Sequence, residues 1–206
     1  GEDLLFGILL SLCFGEARVG HLSWVAAHEP MEVRRFWPGE MQRSASGIDH
    51  SRLVSALLDG FTPDPEADPA RNLRALGEHL TSLGSLAPAD FDERGRLAVL
   101  GRAEAFAEEL ERRLEAWRDE PEAETPGGAL WAEDVRNYLA LLRQHAARPD
   151  FAVPLDLLYG REPEEARRLA QHLLSDYGRL LTVWPDLVAA ARELRAQGVE
   201  MAEEVR

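Results

Sequence analysis

Six histidines, one cysteine and 37 carboxylates are the side chains of this 206-residue chain best suited to catalysis or metal binding. The histidines are His21, His28, His50, His79, His145 and His172. No two stand three or four residues apart, and there is no H-E-x-x-H, so a metal site would draw its ligands from separate elements. His28-Glu29 and Asp49-His50 bracket the longest irregular stretch, which makes His28, Glu29, Asp49 and His50 the candidate polar site. A surface or hydrogen-bonded histidine remains the ordinary role for each. Cys13 lies in an apolar run, where a lone thiol acts as a small hydrophobe and forms neither an internal disulfide nor a thiolate zinc cluster. All 23 basic residues are Arg. The absence of Lys excludes Schiff-base chemistry, pyridoxal phosphate anchoring and a Walker A phosphate loop.

Paired carboxylates come next. Glu108 with Glu111 and Glu162 with Glu165 have the E-x-x-E spacing by which helical nucleotide pyrophosphatases hold Mg²⁺. That chemistry needs a second acidic pair across the bundle, and Glu133, Asp134 and Asp176 have the wrong spacing for it. A charged helix face is ordinarily just solvated. Four residues separate Arg167 from His172 and Arg74 from His79, a helical Arg–His spacing found in the all-α HEPN ribonucleases. With 23 Arg and six His, about one such match arises by chance. Arg168 and Ala75 stand where that class usually has a polar residue, so the spacing identifies no family. There is no G-x-S-x-G elbow, no dinucleotide glycine fingerprint and no nucleophile-cysteine signature. The motifs assign no cofactor.

Composition narrows the partners. Hydrophobic residues at 45% and charged residues at 29% are globular values, and the net charge is −14. So acidic a surface repels phosphate backbones, and no nucleic acid partner is expected. Leu4–Phe14 is apolar all round, but a membrane span needs about 20 residues. Glu2 and Asp3 precede it where a signal peptide would be basic. The expectation is a cytoplasmic protein without membrane attachment.

The elements that must position these groups are helical. Pro88–Trp117 reads as a long amphipathic helix, with Leu97, Leu100, Ala103, Phe106, Ala107, Leu110, Leu114 and Trp117 on its inward face. Glu108 and Arg112 fall on the outward face. Further helices are expected over Leu4–Phe14, Arg18–Ala27, Arg52–Leu58, Ala70–Leu86 and Ala129–Ala146. Another runs from Pro163 to about Leu181, and a last one covers Leu187–Ala196 after a corner at Trp184-Pro185-Asp186. Phe61–Pro69 reads as a polar linker, and Arg118–Gly128 as an acidic, mobile loop. No segment alternates apolar and polar residues. The fold class is all-α, an irregular bundle of six to eight helices with one long loop near the N-terminus. It is read as one domain over 1–206, with a possible subdivision into 1–60 and 70–206.

The function expected from these features is protein interaction or regulation without catalysis. The alternative is a metal-dependent hydrolase with scattered His, Asp and Glu ligands. The loop residues Arg34, Arg35 and Trp37 are the candidate partner-binding contacts. They would rim a homodimer interface built on the apolar N-terminal helix.

Overall fold

A computed structural model describes residues 2–14 and 45–199. These form six α-helices and no strand: α1 (Glu2–Cys13), α2 (His50–Leu58), α3 (Pro69–Gly84), α4 (Pro88–Trp117), α5 (Pro126–Ala146) and α6 (Pro163–Ala196). Among the described residues no helix is long and apolar enough to cross a membrane. The expected helix over Arg18–Ala27 lies outside the described residues.

Local chemistry explains most boundaries. The Asp49, Asp68 and Thr125 side chains accept from the backbone amides of Arg52, Arg71 and Gly128 at the starts of α2, α3 and α5. Each satisfies an amide that the first turn leaves open. Pro69, Pro88, Pro126 and Pro163 open their helices, where a missing N–H costs nothing. The linker before α3 is pinned by buried Asn72, whose amide donates to the Asp64 carbonyl and accepts from the Asp64 N–H, both at 3.0 Å.

The most closely packed pair is α3 against α6, running antiparallel. A Cβ at Gly77 would stand 2.5 Å from the Gly178 carbonyl oxygen, and one at Gly178 would stand 2.6 Å from the Gly77 carbonyl oxygen. Glycine at both positions is what lets the two backbones touch. Leu76, Leu80, Leu174 and Leu181 close the core around this crossing. Arg74 ion-pairs with Asp186 at one end (2.7 Å), and the Gln171 amide donates to the Leu86 carbonyl at the other (2.7 Å). α2 packs on α4 and α5 on the far half of α4, while α1 lies over α2 and α3. Leu5, Ile8, Leu9 and Leu12 of α1 meet the core; Phe6 and Phe14 are exposed.

Three expectations are corrected. First, Trp184-Pro185-Asp186 is not a corner: α6 runs unbroken through Pro185 for 34 residues. The proline removes one hydrogen bond, and the crossing with α3 holds the helix on both sides of it. Second, two of the residues expected on the inward face of α4, Leu97 and Phe106, are exposed: Phe91, Gly95, Val99, Ala107 and Leu114 are buried there, with Leu100, Ala103, Leu110 and Trp117 partly buried as expected. Phe106 is 48% and Leu97 57% exposed. Leu97 lies on the opposite side of α4, away from the described neighbours, whereas Phe106 shares the side of Val99 and is half exposed at its edge, against Tyr138 of α5. Third, the acidic stretch Arg118–Gly128 is not all loop. Pro121–Glu124 forms a 3₁₀ helix, and the Thr125 hydroxyl donates to the Glu122 carbonyl. Gly128 lies so close to that carbonyl that a side chain there would collide with it.

Candidate functional site

Of the expected polar site, His28 and Glu29 lie outside the described residues, as do the expected partner contacts Arg34, Arg35 and Trp37. Asp49 and His50 are described, and both are committed to structure. Asp49 caps α2 and also accepts from the Ser51 hydroxyl at 2.6 Å. Burial pushes its carboxyl up, but these two hydrogen bonds and the Arg52 charge hold it below the usual value. The His50 amide donates to Asp156 (2.9 Å), and the Leu155 amide donates to Ile48 (2.8 Å), so the start of α2 is stitched to the loop before α6. Burial holds the His50 imidazole below its ordinary pKa against the opposing pull of Asp156 and Asp49, and its Nδ1 has no partner.

Several other chemistry-bearing residues are occupied in the same way. The Glu162 amide reaches the Glu165 carboxylate at the start of α6, and Glu111 pairs with Arg143 between α4 and α5. Arg167 faces Asp92 at 3.6 Å, while His172 meets Asp176 one turn along its own helix at 3.2 Å. His79 tilts against Phe61 with its Nε2 buried and unpartnered; burial holds it below its ordinary pKa, against a hydrogen bond to the Leu57 backbone. Among the described residues no group of three or more His, Cys, Asp or Glu is placed to hold a metal ion.

Two features do present unused surface. One is a cavity of about 420 Å³ among α2, α4 and α5, lined mainly by Ile48, Val99, Phe106, Tyr138, Leu142 and Phe151. Phe106 and Tyr138 meet edge to face at its mouth, with ring centroids 6.1 Å apart. Arg102 reaches it, but its guanidinium is already bound by Asp59 and Ser55. The cavity can take an apolar group, and Arg102 is not free to hold an anion there.

The other is the outer face of α6. Leu173, Leu180, Val183, Trp184, Leu187 and Leu194 are between 37% and 51% exposed. At 100° per residue they share one side of the helix, next to the face that α3 covers. Sequence reasoning missed this stripe because it ended the helix before Trp184. The spacing that reveals it is Leu173, Leu180, Leu187 and Leu194, each seven residues from the next. No protein family, curated protein or solved structure matches the chain.

Proposed function

We propose that this protein is a helical interaction module whose docking face is the outer side of α6. The observation that carries the reading is the contiguous apolar stripe from Leu173 to Leu194 on a chain of net charge −14. Leucines and a tryptophan aligned along one helix form the kind of surface that a partner helix covers, and a contiguous patch on that scale marks an interaction site. The commitment of Asp49, Glu111, Glu165 and Arg167 to caps and ion pairs favours an interaction role over the hydrolase alternative.

Site-specific photo-crosslinking in expressing cells tests the proposal. A benzoylphenylalanine replacing Leu187 is expected to give discrete protein adducts, and one replacing the exposed Glu133 of α5 none. Equal adduct patterns from both positions, or none from position 187, would refute it.

A further inference from the structure

We infer that the cleft between α4, α6 and the 149–154 segment binds a small zwitterion of the amino-acid class. Its carboxylate would lie on Arg96 and Arg167, and its ammonium on Asp92 and Glu93. The cleft sits at the first turns of α6, and the inference is independent of the apolar stripe that starts at Leu173.

Packing supplies the space. The cleft has a volume of about 370 Å³, and the buried residues Phe91, Val153 and Ala170 form its floor. Pro149 and Pro154 line one wall. That wall is tied down by the Leu155 amide on the Ile48 carbonyl (2.8 Å) and by the Arg148–Asp150 ion pair (2.6 Å). Small-molecule sites span about 300–1,000 Å³, so this one is at the low end and suits a single small metabolite rather than a peptide.

The charged groups carry the argument. Asp92, Glu93, Arg96 and Arg167 all line the cleft. Asp92 and Arg96 stand four residues apart on α4, which makes their side chains neighbours. From α6, the Arg167 Nε comes to 3.6 Å from the Asp92 carboxylate. That is an ion pair without a hydrogen bond. Among the described residues, none of the Asp92, Arg96 and Arg167 side chains makes a hydrogen bond. Other pairs in the protein close fully: Arg74 reaches Asp186 at 2.7 Å, and Arg148 reaches Asp150 at 2.6 Å. The Asp92–Arg167 pair is more buried than either, with side chains 38% and 31% exposed, and yet it stays open. Partly buried charges without hydrogen bonds are costly, and a ligand that supplies those bonds is favoured in proportion. Burial accordingly raises the Asp92 carboxyl above its ordinary value against the pull of Arg167, and Glu164 adds to the rise.

Charge balance selects the ligand. A guanidinium presents five donors in a fork that fits a carboxylate, and two guanidinium groups line this cleft. A plain anion bound to them would lie beside Asp92 and Glu93. A plain cation bound to those carboxylates would lie beside the arginines. A molecule carrying both charges is neutral overall, as the lining is, and answers all four groups. Its remaining part would rest on the Phe91–Val153 floor, which favours an apolar side chain such as that of leucine, phenylalanine or tryptophan.

Isothermal titration calorimetry of the full chain with free L-leucine, L-phenylalanine and L-tryptophan is the test. At least one should bind as a single molecule per chain, with a dissociation constant of about 10 μM to 1 mM. Removing either charge from the amino acid that binds should weaken it at least about tenfold; for phenylalanine the two analogues are 3-phenylpropionate and phenethylamine. Arg96→Gln and Arg167→Gln should each weaken the amino acid by about tenfold or more. Asp92→Asn should weaken it too, while strengthening the analogue that lacks the ammonium. Arg94→Gln, exposed on α4 outside the cleft, should change nothing. Circular dichroism establishes that each variant folds, and Arg96 is exposed, so its substitution keeps the test decisive if Arg167→Gln is unstable. Neither heat nor shifts in amide NMR signals from any of the three at about 10 mM would overturn the inference. So would equal binding of the single-charge analogues, or undiminished binding in the Arg96→Gln variant.

Discussion

The contact between α3 and α6 makes a sharp test of the fold, because one methyl group should act in opposite directions at two glycines. Gly77 and Gly101 both lie inside helices, where alanine is intrinsically favoured by about 0.8–1 kcal/mol. At Gly101 nothing stands within 4 Å of the added Cβ, so the gain should appear in full. At Gly77 the methyl lands 2.5 Å from the Gly178 carbonyl and the Thr182 hydroxyl, and 2.7 Å from the Thr182 backbone nitrogen. Two of those atoms are backbone and cannot swing aside. The helices must move apart by about 1 Å, loosening the contacts of Leu76, Leu80 and Leu174, and overpacking of this kind costs about 1–3 kcal/mol. The thermal midpoint should fall by about 2–12 °C for Gly77→Ala, at about 2–4 °C per kcal/mol for a chain this long. Gly101→Ala should rise by about 1–4 °C. The assay is thermal unfolding monitored by circular dichroism. If Gly77→Ala proved as stable as Gly101→Ala, the close crossing would be wrong.

The remaining predictions concern the core and the titrating groups. Phe91 is 3% exposed, so Phe91→Ala should cost about 3–5 kcal/mol in urea unfolding and Phe106→Ala clearly less, because half of the Phe106 side chain is already in water. Equal losses would contradict the assigned face of α4. Burial raises the Cys13 thiol to about 11, so a thiol reagent at neutral pH should label it only at the rate of unfolding; prompt labelling of native protein would contradict its burial. His50 and His79 are held below the ordinary imidazole value of 6.5. The unfolded chain therefore binds their protons first, so the stability they preserve is complete above that value and is lost as pH falls below it. Urea midpoints should drop between about pH 7.5 and pH 5.5, and more shallowly in His50→Gln/His79→Gln. An identical pH slope in that variant would remove the two imidazoles from the account.

Much of the helical layout was legible because its signals are local. The Asp68-Pro69 pair marks the start of α3, and Pro88 with Asp90 that of α4. The inward face of α4 was less legible. Leu97 and Phe106 fit a helical spacing as well as Phe91 and Val99 do, and only the neighbouring helices decide that Leu97 is left uncovered on the far side and Phe106 half exposed at the mouth of the cavity beside Val99. The same limit applies to Asp49 and His50. Their chemistry suits a polar site, but their partners Arg52, Ser51 and Asp156 include one more than 100 residues away. A cap and a catalytic carboxylate look alike until the group each one faces is known.

Pro185 marks the widest gap between sequence and structure, and the physics behind it bears on function. A proline in an isolated helix costs about 3 kcal/mol, which is the reason to expect α6 to end before Trp184. In the folded chain that penalty falls where α3 already clamps α6, between the Gly77–Gly178 crossing and the Arg74–Asp186 ion pair. Tertiary contact thus carries the helix through a position where propensity alone would stop it. The residues beyond Pro185 give that extension a purpose: Leu187 and Leu194 are exposed and contribute nothing to the core. A second segment turning back at Pro185 could have buried them, as Leu174 and Leu181 are buried. Keeping α6 straight instead places them in phase with Leu173 and Leu180, on a face that the described parts of the chain leave open.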